Sequence, residues 1–134
     1  MKIDGGCHCG YVTYEAEVDP DKTAICHCTD CQSLSASAFR TIVPAPSSTF
    51  KILTGEPSIY LKTGESGAVR PQGFCPRCGS AIYSTALGDG PKNYNIRVGT
   101  VRQRDQLIPK VQFWSRSRQK WLFELGSIRQ LEKQ

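Results

Sequence analysis

The sequence predicts a mainly β fold: a small single domain of short antiparallel strands, stapled by metal-binding knuckles, over residues 1–134. Three observations support this prediction. The chain has 134 residues, a length typical of one domain with one hydrophobic core. Short stretches in which apolar and polar residues alternate recur between turn-forming residues, without a linker or an internal repeat. The seven cysteines fall into tight clusters, a pattern typical of metal ligands.

The strands are predicted from the alternation of side chains along the chain. In residues 11–18, Val12, Tyr14 and Ala16 point to one face and polar residues to the other. Pro44-Ala45-Pro46 is expected to end the strand that precedes it, because proline has no backbone N–H to donate. The further predicted strands cover residues 39–43, 50–53, 58–62, 69–74, 81–84, 94–98 and 111–114.

The remaining segments predict little regular structure. Residues 30–38 are rich in serine and alanine and predict one or two helical turns. Residues 87–92 contain glycine, proline and aspartate and predict a loop. The last residues, roughly 127–134, predict a frayed tail.

Composition narrows the class of protein. No stretch approaches the roughly 18 uninterrupted apolar residues of a membrane span. The first residues lack the apolar core of a signal peptide, so we expect a cytoplasmic protein whose cysteines stay reduced rather than forming disulfides.

The formal net charge of +5 hints at an anionic partner, but the cysteines change that interpretation. Seven thiolates and two bound Zn²⁺ ions would lower the charge to about +2. Residues 97–134 nevertheless hold nine lysines and arginines against three acids, which indicates either a solvated basic face or a site for carboxylates. Nucleic acid is disfavoured as a partner because aromatic residues do not alternate with a dense basic run.

Two cysteine pairs predict a closed structural zinc site. Cys75 and Cys78 form a C-x-x-C pair, with a proline that presets the turn between them and a glycine after it. The pair Cys7 and Cys9, also followed by glycine, can supply the other two ligands. A redox dithiol is the alternative for C-x-x-C, but it needs a βαβ context that is absent here.

The remaining cysteines, Cys26, Cys28 and Cys31, predict a second zinc site with three protein ligands. A fourth position left for water or substrate is the catalytic pattern. The alternative is a second structural site, closed by His8, His27 or Asp30. Completion of this cluster by the first cysteine pair is disfavoured because it would leave the C-x-x-C pair without partners.

Other candidate residues carry weaker signals. The two histidines lie inside cysteine clusters and are expected either beside the metal ligands or facing solvent. The large aromatic residues near the C-terminal end are expected in the core or in a groove wall. The polar segment 115–118 is expected to face the substrate or to form a surface turn. The aromatic residues concerned are Phe113, Trp114, Trp121 and Phe123.

Four motifs taken together resemble one known family. They are GCHCG at residues 6–10, CHCTDC at 26–31, AFR at 38–40 and FCPRCG at 74–79. The chain is thereby similar to the glutathione-dependent formaldehyde-activating enzymes, also called the GFA or CENP-V family. The three clusters in this order are specific, although each alone would not be.

The resemblance implies a β-tent-like fold and two zinc sites. Cys7, Cys9, Cys75 and Cys78 match the family's structural ligands, and Cys26, Cys28 and Cys31 match its catalytic ligands. The implied activity is a carbon–sulfur lyase reaction, run in the direction of S-(hydroxymethyl)glutathione synthesis from a small thiol such as glutathione and a small aldehyde. We expect substrate carboxylates to be held by arginines, with Arg40, Arg97, Arg116 and Arg118 as candidates.

Two departures from the family pattern bear on the substrate. The chain is short for a formaldehyde-activating member, and Gln112 stands where members often have a histidine. Two other functions stay open on separate grounds: a non-catalytic zinc-scaffolded binding module, and a redox sensor that uses Cys26, Cys28 and Cys31.

Overall fold

The computed structural model describes residues 1–134 and contains two β-sheets and one short α-helix. The smaller sheet has the strand order β1-β2-β5, and the larger has the order β10-β3-β4-β9-β8-β7-β6. Short 3₁₀ segments connect several strands. The strands are β1 Lys2–Gly6, β2 Thr13–Glu17, β3 Ala24–Cys26, β4 Arg40–Pro46, β5 Lys51–Thr54, β6 Ser58–Thr63, β7 Val69–Phe74, β8 Ala81–Ser84, β9 Asn93–Arg97 and β10 Val111–Phe113, and the helix is α1 Thr29–Ser35.

The mainly β fold is confirmed, and each predicted strand has a counterpart in the structure. All strand pairs are antiparallel except one, because β10 runs parallel to β3. The sequence did not predict β1, which pairs with β2 along its whole length. Its two glycines obscure the strand pattern, although Ile3 is buried as a core residue.

The prediction that the prolines end a strand at Val43 is wrong, since β4 continues to Pro46. Strand β3 pairs with β4 only up to Ile42, whereas β9 pairs with β4 as far as Pro46. Beyond Ile42 the strand therefore has a single sheet neighbour. Proline is tolerated there because no second strand needs its missing N–H.

The core combines aliphatic residues with an aromatic cluster. The alternation predicted for residues 11–18 is confirmed, since Val12, Tyr14 and Ala16 are buried. The ring of Phe50 stacks on Tyr94, with centroids 4.4 Å apart. Burial raises the pKa of Tyr14 to about 12, although its hydroxyl shares a 2.8 Å hydrogen bond with Thr100.

The aromatic residues near the C-terminal end were expected in the core or in a groove wall, and the core expectation is wrong. Trp114 and Trp121 are 47% and 46% exposed, and Phe123 is 73% exposed. Strand β10 lies at an edge of the sheet, and only 3₁₀ segments follow it, so no second layer covers these rings.

The helices of this chain do not have the length and apolar character that a membrane span needs.

Candidate metal centres and their surroundings

The sulfurs of Cys7, Cys9, Cys75 and Cys78 lie within 4.8 Å of one another, where segments of the two sheets come together. The first pair follows β1, and the second lies in the turn between β7 and β8. The Cys7 and Cys9 sulfurs are 3.6 Å apart, and those of Cys9 and Cys75 are 3.8 Å apart. A tetrahedral ion with Zn–S bonds of about 2.3 Å would place its sulfurs about 3.8 Å apart. The spacing therefore fits a four-coordinate metal site.

Backbone groups orient these sulfurs toward one another. The N–H of Val12 donates to the Cys7 sulfur at 3.2 Å, and the N–H of Arg77 donates to the Cys75 sulfur at 3.4 Å. Hydrogen bonds from the hydroxyl and the backbone of Ser80 lower the pKa of the Cys78 thiol to about 5. A sulfur held by such donors is a ready thiolate, which is the form that binds metal.

Further contacts join the segment around Cys7 and Cys9 to the turn that holds Cys75 and Cys78. The guanidinium of Arg77 lies over the Tyr11 ring, 3.8 Å from its centroid. The N–H of His8 donates to the Ser80 hydroxyl at 3.0 Å. His8 itself is exposed and is not one of the residues that meet at the sulfurs. The geometry therefore fits a site closed by four thiolates.

The sulfurs of Cys26, Cys28 and Cys31 form a second cluster, with all three within 4.8 Å of one another. Cys26 ends β3, and Cys28 caps the first turn of α1, where its sulfur accepts the N–H of Cys31 at 3.3 Å. All three residues are half-buried. Of the two partitions of the seven cysteines that the sequence allowed, the structure has the four-plus-three arrangement.

Neither histidine nor aspartate joins this second cluster. The carboxylate of Asp30 binds the ammonium of Lys62 instead, at 2.9 Å. His27 is buried, and its Nε2 lies 2.7 Å from the Oε1 of Gln112. Gln112 thus holds the histidine ring in place, and the solvent-facing alternative for His27 is wrong. Among the histidine, cysteine and acidic side chains, only these three thiols lie close enough together here to share one ion.

The thiols of the second cluster differ in acidity. Burial raises the pKa of Cys31 to about 12, although the guanidinium of Arg40 opposes the rise. Burial also opposes ionisation of Cys28, but the N–H of Cys31 and the neighbouring thiols outweigh it and lower its pKa. A metal ion would have to displace the protons of the less acidic thiols when it binds.

A polar cavity of about 790 Å³ opens beside this cluster and includes Cys28 in its wall. Lys62 and Arg70 face each other across the β6–β7 hairpin and line the cavity. Trp114 and Arg116 line it from the other side, where the guanidinium lies 4.8 Å from the centroid of the tryptophan ring. A polar cavity next to three thiols is suited to a charged ligand.

The arginines proposed from the sequence as carboxylate-binding residues lie in different surroundings in the structure. Arg116 lines the polar cavity, and the segment that contains it forms a 3₁₀ turn over Ser115–Ser117. Arg118 does not line it; its guanidinium lies 4.0 Å from the Phe123 ring centroid. The sequence analysis did not propose Lys62 and Arg70 as cavity residues. Both lie beside the turn between β6 and β7, and two basic residues on either side of such a turn could have indicated a shared cationic surface.

Arg40 and Arg97 are buried and share one acceptor. The Oε1 of Gln72 accepts from Arg97 at 2.8 Å and from Arg40 at 3.4 Å. Neither guanidinium has a carboxylate within salt-bridge distance, and both Nε atoms lack a hydrogen-bond partner. Burial and the Arg40 charge lower the pKa of Arg97 to about 9, whereas Cys31 and Cys26 oppose the shift.

Comparison with solved structures supports the fold. A crystal structure of a Rhodobacter sphaeroides protein superposes with a TM-score of 0.62 and 21% sequence identity. The match covers 81% of this chain and 98% of the other. At this identity the likeness shows a shared fold.

Comparison with protein families supports the resemblance that the cysteine motifs indicated. Residues 2–117 match the family described as glutathione-dependent formaldehyde-activating enzyme. The match contains all seven cysteines of both clusters and every residue of the polar cavity. The chain therefore belongs to the glutathione-dependent formaldehyde-activating enzyme family.

Proposed function

We propose that this protein adds a small thiol, such as glutathione, to formaldehyde or a related carbonyl, as a zinc-dependent carbon–sulfur lyase acting in the synthetic direction. The observation that carries the proposal is the three-cysteine cluster at the wall of the polar cavity. Membership of the family supports it. The same proposal assigns the protein to the cytoplasm, where free thiols persist.

The reaction needs a sulfur–carbon bond and one proton transfer. The thiol sulfur attacks the carbonyl carbon, the C=O π bond breaks toward oxygen, and the thiol proton ends on that oxygen. Cys26, Cys28 and Cys31 would hold the catalytic zinc, and the four-cysteine cluster would hold a structural one. Zinc held by three protein ligands supplies an open position that stabilises a thiolate or polarises a carbonyl.

The cavity residues suit glutathione, which carries two carboxylates and one ammonium at neutral pH. Arg70 and Arg116 have no carboxylate within salt-bridge distance, so they can bind substrate carboxylates. Lys62 is already paired with Asp30, and that ion pair fixes the edge of the cavity next to Cys28. Glu65 offers a carboxylate for the substrate ammonium.

Exchange spectroscopy with ¹³C-formaldehyde and glutathione would test this proposal, because it measures the rate of adduct formation above the uncatalysed rate. We expect the zinc-loaded protein to accelerate exchange and Cys28→Ser to lose at least tenfold. Arg70→Gln should raise the glutathione concentration needed for half-maximal rate. Arg102→Gln is the matched control, since Arg102 is exposed and pairs with Asp4. A wild-type rate equal to the uncatalysed rate would refute the proposal.

A second candidate function is a non-catalytic zinc-scaffolded binding module. Its support is the run of exposed apolar side chains after the family match ends at residue 117. These side chains are Trp121, Phe123, Leu125, Ile128 and Leu131. X-ray absorption that finds four protein ligands at both metals, unchanged by added thiol, would favour this candidate.

A further inference from the structure

A second cavity, of about 390 Å³, lies near the C-terminal end of α1, whereas the polar cavity lies at the start of this helix. Leu34 of α1 lines the second cavity, whereas Thr29 and Asp30 of the same helix line the polar one. Tyr60 and Lys62 are two residues apart on β6 and therefore lie on the same face of that strand. Tyr60 lines the second cavity and Lys62 lines the polar one. The two cavities are therefore neighbours with different linings.

The second cavity is mainly apolar but contains one buried cation. Its apolar lining is Leu34, Tyr60, Phe74, Ala81 and Tyr83. Arg40 also lines it and is 7% exposed; its Nη1 donates to Gln72, its Nε is fully buried, and its Nη2 has no hydrogen-bond partner within the chain. Gln72 is the other polar side chain in the lining, and its Oε1 is already shared by two guanidinium groups. A cation with spare donors thus lies at an apolar cavity.

The charges around this cavity do not balance within the chain. Arg40 and Arg97 bring two positive charges, and no carboxylate pairs with either. Arg40 is the register partner of Cys26, so the three-cysteine cluster lies close to this guanidinium. Three thiolates around a divalent ion carry a net charge of about −1. At least one buried positive charge is therefore left without a counter-charge, which is costly unless an anion is bound.

We propose that this cavity is a second ligand site, which binds a monoanionic carboxylate with an apolar, ring-sized body through the Arg40 guanidinium. A carboxylate matches the paired donors of a guanidinium, and both then lie where little water competes. The three aromatic side chains of the lining suit an aromatic body. A small inorganic anion would satisfy the charge but would leave the apolar walls unfilled. This inference does not rest on the proposed reaction.

Isothermal titration of the zinc-loaded protein with three probes tests the proposed chemistry. Phenylacetate carries both recognition elements, phenylacetamide keeps the ring without the charge, and acetate keeps the charge without the ring. We expect phenylacetate to bind with a Kd of ~1 mM or lower, and each partial probe to bind at least tenfold more weakly. Absence of saturable phenylacetate binding up to about 10 mM, or equal binding of the amide, would overturn the proposal.

Variants of β6 test the location. Tyr60→Glu places a negative charge at the rim of the cavity, at a residue that is 53% exposed, and should weaken phenylacetate binding at least fivefold. Leu61→Glu is the matched control, since Leu61 is the next residue, is 58% exposed and faces the other side of the strand. Equal effects of the two variants would contradict the assignment to this cavity.

Arg40→Gln removes the cation itself and should reduce binding at least tenfold. Zinc content and the thermal unfolding midpoint of each variant are measured in parallel, so that loss of fold is distinguished from loss of ligand. If Arg40→Gln does not fold, the Tyr60→Glu and Leu61→Glu pair still decides the question. Because no formaldehyde is present in these titrations, their outcome is independent of the proposed activity.

Discussion

Hydrogen bonding and burial, as well as charge, determine how single residues beside the two cysteine clusters are positioned. Gln112 has a defined role, because its Oε1 lies 2.7 Å from the Nε2 of His27. The sequence identified all seven clustered cysteines from spacing alone, since ligand spacing is a local property. The sequence named Arg40 as a candidate but did not reveal that it is buried, because burial depends on how separate strands pair.

Tyr14 should make stability sensitive to high pH. Its folded-state pKa is raised from 10.0 to about 12 by burial, so its contribution is fully present below pH 10 and is lost as the pH rises through about 12. The loss should reach about 2–3 kcal/mol at most. Urea unfolding of the wild type and Tyr14→Phe from pH 8 to 11.5 checks this prediction. The stability difference between them should shrink as the pH rises, and a constant difference would contradict the assignment.

The elements that position both sites are short strands joined by tight turns. The β6–β7 hairpin sets Lys62 opposite Arg70, and β3 ends at Cys26 beside the start of β4. The strand from residue 69 to residue 74 was predicted with its observed bounds, because its turns are marked by local residues. The continuation of β4 through two prolines could not be predicted, because it depends on how many neighbours the strand has.

Gly73 on β7 should be difficult to replace. A Cβ at this position would lie 2.5 Å from the ring of Tyr83, which lines the apolar cavity. Gly73→Ala is therefore expected to lower the free energy of unfolding by about 1–3 kcal/mol through overpacking. Gly90→Ala is the control, since nothing lies within 4 Å of a Cβ there. Equal urea midpoints for the two variants would show that the ring moves aside without cost.

At the scale of the whole molecule, the four-cysteine site joins the two sheets. One cysteine pair follows β1 of the smaller sheet, and the other lies between β7 and β8 of the larger sheet. A metal bound there closes a loop of more than sixty residues and so restricts the unfolded chain. The three-cysteine cluster lies within one segment of the chain and closes no comparable loop.

Loss of metal should therefore affect the two sites differently. Cys78→Ser is expected to lower the thermal unfolding midpoint by more than ten degrees and to reduce bound zinc from two equivalents to about one. Cys28→Ser should lose a similar amount of zinc with a much smaller change in the midpoint. Differential scanning calorimetry with elemental analysis measures both quantities. Equal midpoints would contradict the division into a structural and a functional site.

The central claim is that the three-cysteine cluster leaves one metal position for a thiol. Titration of the cobalt-substituted protein with glutathione, followed by the sulfur-to-cobalt charge-transfer band, tests it most directly. We predict that added glutathione increases this band to saturation at one thiol per chain, and that glutathione leaves the spectrum of Cys28→Ser unchanged. A spectrum that glutathione leaves unchanged in the wild type would show that no such position exists.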